Sequence, residues 1–232
     1  MFTLAESLIV MGIIGVVAAL TLPNLNSSTG NKEKVAKVKK IYSNLNDAFG
    51  RAVAVYGPFE EWFINDGNDN NKKIKRAGER ISEFMKISKI CGVNSKNCFT
   101  NGKPNNYIYY DYFLGGSTPD DLGLFDEIAG NGYSFILSDG TCVNINFDCF
   151  FTNCLGAIQI DIDGMNNGKF SVNEDVFYFG ISNNGVTTNF RSDEAHYDCV
   201  SIGSCTGWVV EYDNMDYLKC FDKLTDNKTS CK

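Results

Sequence analysis

The sequence predicts an α+β fold: a long N-terminal helix, apolar at first and amphipathic after, packed on a disulfide-rich antiparallel β-sheet domain. Three observations predict it. Residues 2–22 form an almost wholly apolar run with one ionised residue, Glu6. Helical periodicity continues over residues 38–56. Beyond that, β-rich runs separated by turn residues are interspersed with nine cysteines. The 232 residues divide into a hydrophobic assembly or transmembrane helix segment (1–23), an amphipathic helix continuing into the globular part (24–56), and a disulfide-stapled α+β head (57–232). The head is long enough for one modest core.

As a helix, residues 2–22 span roughly 31 Å at about 1.5 Å per residue, close to the ~30 Å of a bilayer's hydrocarbon core. Glu6 is costly there, by at least ~2.5 kcal/mol on insertion scales, and needs a partner. The first basic residue is Lys32, so the partner is the chain's own amino terminus or another subunit. A secretory signal peptide would carry a basic region ahead of the run. A plain anchor explains the length but not Glu6, and a buried core helix is rarely apolar on every side.

Pro23 lacks an N–H and crowds the preceding turn, which predicts an interruption or kink. Asn24 to Asn31 is poor in helix formers. Gly12 and Gly15 are further weak points, or places where helices can pack closely. Periodicity then resumes: Val38, Ile41, Leu45, Ala48, Phe49, Ala52, Val55 and Tyr56 follow i, i+3, i+4, i+7 spacing and place one face against the head. Gly57-Pro58 ends the helix. A second helix is expected near Lys72 to Ile87. "YSFILSDGTCVNINF" (Tyr133 to Phe147) reads as a hairpin around Asp139-Gly140. "AIQIDID" (Ala157 to Asp163) alternates apolar and polar residues. "VFYFGISNNGVTTNF" (Val176 to Phe190) holds a second turn at Asn184-Gly185. Together these favour an antiparallel sheet.

Nine cysteines with no C-x-x-C and a single histidine, His196, point to disulfides rather than to zinc or iron–sulfur. Cys91 and Cys98 flank a short polar loop. Cys142, Cys149 and Cys154 form a second cluster, Cys199 and Cys205 a third, and Cys220 with Cys231 would pin the C-terminus. The sequence leaves the connectivity open. The odd count leaves at least one cysteine outside any internal bridge, expected in the cluster of three.

One stretch offers hard oxygen ligands: "DIDGMNNGKFSVNED", with Asp161, Asp163, Asn166 and Asp175. Calcium suits that chemistry, and a plain turn uses the same residue types. No cofactor is required by any other motif. His196, with Asp198 and Cys199 nearby, reads as a loop histidine. There is no P-loop or dinucleotide fingerprint, so an enzyme is not expected. The net charge of -7 disfavours a general affinity for nucleic acid. The charge is uneven: Lys32, Lys34, Lys37, Lys39 and Lys40 face only Glu33, while residues 41–232 hold 26 acidic and 16 basic residues. The lysines either lie on anionic lipid headgroups or form a solvated helix face.

"FTLAESLIVMGIIGVVAALTLP" (Phe2 to Pro23) resembles the N-terminal segment of type IV pilins and of type II secretion pseudopilins. The likeness lies in Phe2, Thr3, Leu4, Glu6, the apolar run with Gly12 and Gly15, and Pro23. It is specific over residues 2–25 and weaker over the following helix. "CTGWVVEYDNMDYLKC" (Cys205 to Cys220) also resembles a C-terminal pattern of some large pseudopilin-like proteins. The resemblance implies the pilin architecture, a long helix packed on an antiparallel sheet. It implies that a prepilin peptidase cuts a leader before Phe2, whose amino group is then methylated. Glu6, fifth from Phe2, would pair with a neighbouring subunit's amino terminus. Two charges would then desolvate together, and a slipped subunit would leave one unpaired. Met1 stands where the family usually has Gly; it is the last residue of a trimmed leader, an initiator methionine, or the true first residue. If Met1 is the mature start, Glu6 is sixth.

The implied partners are copies of this chain or related pilins in a helical filament, the inner membrane before assembly, the prepilin peptidase and an assembly platform. The implied location is the inner membrane, then an extracellular or periplasmic filament. Some family members bind calcium in a C-terminal loop. The alternative is a minor tip pilin, or a membrane-anchored adhesion or binding protein acting through the cysteine-rich head.

Overall fold

The computed structural model describes residues 4–67, 69–95, 98, 132–147, 155–164, 172–188, 199, 204–225 and 227–231; the side chains of 4–9 and 17–29 lie outside that description. Helix α1 (Leu4–Tyr56) is 53 residues long. It runs without a break through Pro23 and 24–31, which corrects the expected interruption. A proline deletes one hydrogen bond, but its fixed φ of about −65° is itself helical, and the turns on either side keep their bonds. Among the described residues no helix is long and apolar enough to cross a membrane. The expected 2–22 span lies largely outside the described side chains.

The second half of α1 forms one wall of the core. Val35, Val38, Ile41, Leu45, Ala48, Phe49 and Ala52 are all buried. Val55, expected on that face, is instead exposed, at 62 %. The amide of Gly57 (φ +83°) bonds back to the Val53 carbonyl, and Pro58 then turns the chain away. A short 3-10 turn, Phe59–Phe63, tucks Phe59 and Trp62 under the helix end. Helix α2 (Asn70–Ser82) is capped by Asp69, whose side chain accepts from the Lys72 amide at 3.2 Å. It stops five residues short of the expected Ile87, because a turn at Glu83–Met85 redirects the chain into an edge strand that the sequence reading missed.

Six strands form one antiparallel sheet in sequential order: β1 (Ile87–Val93), β2 (Tyr133–Leu137), β3 (Cys142–Asn146), β4 (Gly156–Asp161), β5 (Val176–Ser182) and β6 (Gly185–Thr187). The hairpin at Asp139-Gly140 is present: Asp139 Oδ1 accepts from the Thr141 amide at 3.2 Å, and Gly140 takes φ +87°. The second turn is shifted by one residue. Ser182 pairs with Gly185, so Asn183 and Asn184 form the turn and Gly185 (φ +135°) leaves it.

One sheet face, with Phe135, Val143, Ile145, Ile158, Ile160, Phe177, Phe179 and Ile181, joins α1 and α2 in a single core. Tyr42 of α1 stacks on Phe179 at 5.7 Å. The other face is largely buried as well and carries a polar row: the register aligns buried Ser134, Asn144 and Gln159 with half-buried Tyr178. The two edges differ. At one, Asn46 of α1 accepts from the Val186 amide of β6 at 3.2 Å. At the other, β1 carries two register shifts and the bridge to Cys98. Helices α3 (Thr206–Tyr212) and α4 (Tyr217–Cys220) close the C-terminus. Asn214 organises the link between them: its Oδ1 accepts from the Trp208 indole and the Asp216 amide, and its Nδ2 donates to the Tyr212 and Thr229 carbonyls.

Candidate assembly interface

Every described residue from Val10 to Val16 is exposed. Met11 is the most open, at 70 %, and Val10, Ile13, Ile14 and Val16 lie between 53 and 62 %. A Cβ built on Gly12 or Gly15 would meet nothing within 4 Å. This stretch therefore presents apolar side chains on all sides of the helix, with none of the described residues packed against it. The Glu6 and Pro23 side chains and the whole of Phe2 lie outside the described residues.

Farther along α1, beside its buried stripe, a set of ammonium groups ties the helix to the head. Lys34 Nζ lies 3.4 Å from Glu174 Oε1. Lys37 Nζ donates to the Ile162 carbonyl at 2.5 Å and to the Asp139 carbonyl at 3.5 Å. Lys39 reaches Asp213 at 2.6 Å, and Lys40 reaches Asp139 at 3.3 Å. Lys32 is exposed. Four of the five lysines thus bond to the head, so neither a lipid-facing nor a purely solvated helix face describes them here. Burial pushes the Asp139 carboxyl up, but its hydrogen bonds to Thr141 and the neighbouring Lys40 and Lys37 outweigh this and hold it below the usual carboxylate range. The lysine run was legible in sequence. Its partners, Asp139, Ile162, Glu174 and Asp213, lie far off in sequence and carried no local signal.

Three bridges are described: Cys91–Cys98, Cys199–Cys205 and Cys220–Cys231. Cys142 is buried on β3 against Cys98 and Val176, with Cys91 packed beside them. Cys149 and Cys154 lie outside the described residues, as do His196 and Asn166. Among the described residues no three His, Cys, Asp or Glu side chains group as a metal site. Asp161 is used locally: its Oδ1 accepts from the amides of Asp163 and Gly164 at 3.1 and 2.9 Å. Its Oδ2 is buried with no hydrogen-bond partner among the described residues, and burial raises its pKa. Asp175 is buried beside the Ile162 amide, which donates to the Asp175 carbonyl at 2.8 Å. The chain matches no protein-family model, no curated protein and no solved structure.

Proposed function

We propose that this chain is the structural subunit of an extracytoplasmic helical filament, of the type IV pilus or type II secretion pseudopilus kind, polymerising through the first part of α1. The observation that carries this reading is the all-round apolar exposure of residues 10–16 on a helix whose second half is fixed in a folded head. Such a rod in water must be covered, by lipid or by copies of itself. Covering it gains about 25 cal/mol per Å2 of apolar area relative to water. Relative to lipid the hydrophobic gain is close to nothing, so membrane and filament states can exchange. Helix packing, head contacts and the pairing of Glu6 with a neighbour's amino terminus then select the filament and its register. The subunit waits in the inner membrane, is cut before Phe2 and methylated there, and is raised by an assembly platform.

Glu6→Ala tests this. The variant is expected to fold and to remain in the membrane, while electron microscopy of the native cell surface shows filaments absent or scarce. A chain lacking residues 1–25 is expected to be a soluble monomer. Normal filament yield from Glu6→Ala, or filaments from the truncated chain, overturns the proposal.

A further inference from the structure

We infer that the head carries an internal substitute for anionic lipid: Glu174, Asp139 and Asp213 hold the basic stretch 32–40 of α1 to the protein and so keep it off a membrane surface. The inference rests on the reading above, in which the neighbouring apolar run enters a bilayer. Five lysines and one glutamate within nine residues form the kind of polybasic stretch that an anionic headgroup layer attracts. Their ammonium groups are donors only, and a carboxylate presents the same charge and the same acceptor oxygens as a lipid phosphate.

In the structure that demand is met from within. Asp139 comes from the β2–β3 turn, Glu174 from the segment before β5, and Asp213 from the C-terminal end of α3. Three unconnected parts of the head converge on seven residues of one helix, Lys34 to Lys40. Charge pairing within a helix cannot produce this, because none of these three pairs is local in sequence. A carboxylate beside an ammonium offsets its charge and competes with a phosphate for its N–H donors. The head's carboxylates therefore counter-charge the stretch and favour release from an anionic surface, whereas their removal would leave the lysines to bind lipid. The three carboxylates bias the subunit toward leaving the membrane.

The test reads the reactivity of each lysine in the full chain, by acylation and mass spectrometry, in neutral detergent micelles with and without added phosphatidylglycerol. In the unmodified chain, Lys34 and Lys39 are expected to be indifferent to phosphatidylglycerol, while exposed Lys32 is slowed. In Asp139→Asn/Glu174→Gln/Asp213→Asn, phosphatidylglycerol is expected to slow Lys34 and Lys39 about fivefold. Asp213→Asn alone should transfer this sensitivity to Lys39 only, which keeps the test open if the triple variant does not fold. Equal slowing of Lys34 and Lys39 in the unmodified chain, or none in either variant, overturns the inference. Failure of the filament reading would appear elsewhere, as normal filaments from Glu6→Ala.

Discussion

Asp66 and Asp161 are both almost fully buried carboxylates, and their partners give them opposite pH behaviour. Arg76 grips Asp66 with two bonds, at 2.7 and 2.6 Å, and holds its carboxyl below the usual range. A depressed folded pKa contributes stability above the unfolded value of about 3.9, lost as pH falls through the folded value. Asp66→Asn should therefore cost stability at pH 6 and much less at pH 2, read as the denaturant midpoint across that range. Asp161 has the reverse sign: burial disfavours its charged form, so ionisation costs stability above about pH 4. Asp161→Asn keeps an oxygen for the two amides and should raise the midpoint at pH 7, a gain that disappears in acid. At Gly78 two effects compete. Alanine gains about 1 kcal/mol of helix propensity, but its Cβ would lie 2.2 Å from the Tyr133 ring. Overpacking costs about 1–3 kcal/mol, so Gly78→Ala should lower the midpoint despite its place in a helix. The Asp66–Arg76 pair was invisible in sequence, because the partners lie ten positions apart across non-helical and helical chain.

Elements were legible where one local rule governed them. The period of α1 from Val38 to Ala52 and its stop at Gly57-Pro58 follow from apolar spacing and backbone chemistry alone. Both hairpins were signalled by Gly next to Asp or Asn. Strand β1 was not, because it is an edge strand with Ser88, Lys89 and Ile90 all exposed, and therefore lacks an alternating pattern. The polar residues of β3 and β4 gave the correct alternation for strands, yet their face is buried rather than wet; what covers a sheet face is a tertiary fact. The helices between Cys205 and Cys220 are short and held by Asn214 and a bridge rather than by propensity. Removing that bridge with Cys220→Ser/Cys231→Ser should cost about 3 kcal/mol for a loop of this length, measured by denaturation under oxidising conditions. Asn46→Ala removes the side chain that accepts from β6. It should cost about 1 kcal/mol and speed hydrogen exchange at Val186 without unfolding the other strands.

In the whole molecule the second half of α1 shares the core of the head, while residues 10–16 of the same helix are exposed. The end of α1 near residue 56 was readable from Gly57-Pro58, whereas at residue 23 the helix simply continues. The apolar face that α1 turns to the head was readable; the ammonium contacts to Asp139, Glu174 and Asp213 were not, since they depend on the completed fold. The intact chain, freed of detergent, is expected to associate, measured as a sedimentation shift that returns to monomer when detergent is restored. The guarded sheet edges fix what kind of material that association yields. With β6 occupied by Asn46 and β1 bent by its two register shifts, strand-to-strand growth between molecules is obstructed. Fibres of this protein would therefore be held by greasy helix contact rather than by a hydrogen-bonded backbone ladder. They should dissolve in mild non-ionic surfactant, fail to bind amyloid dyes, and show no 4.7 Å meridional reflection.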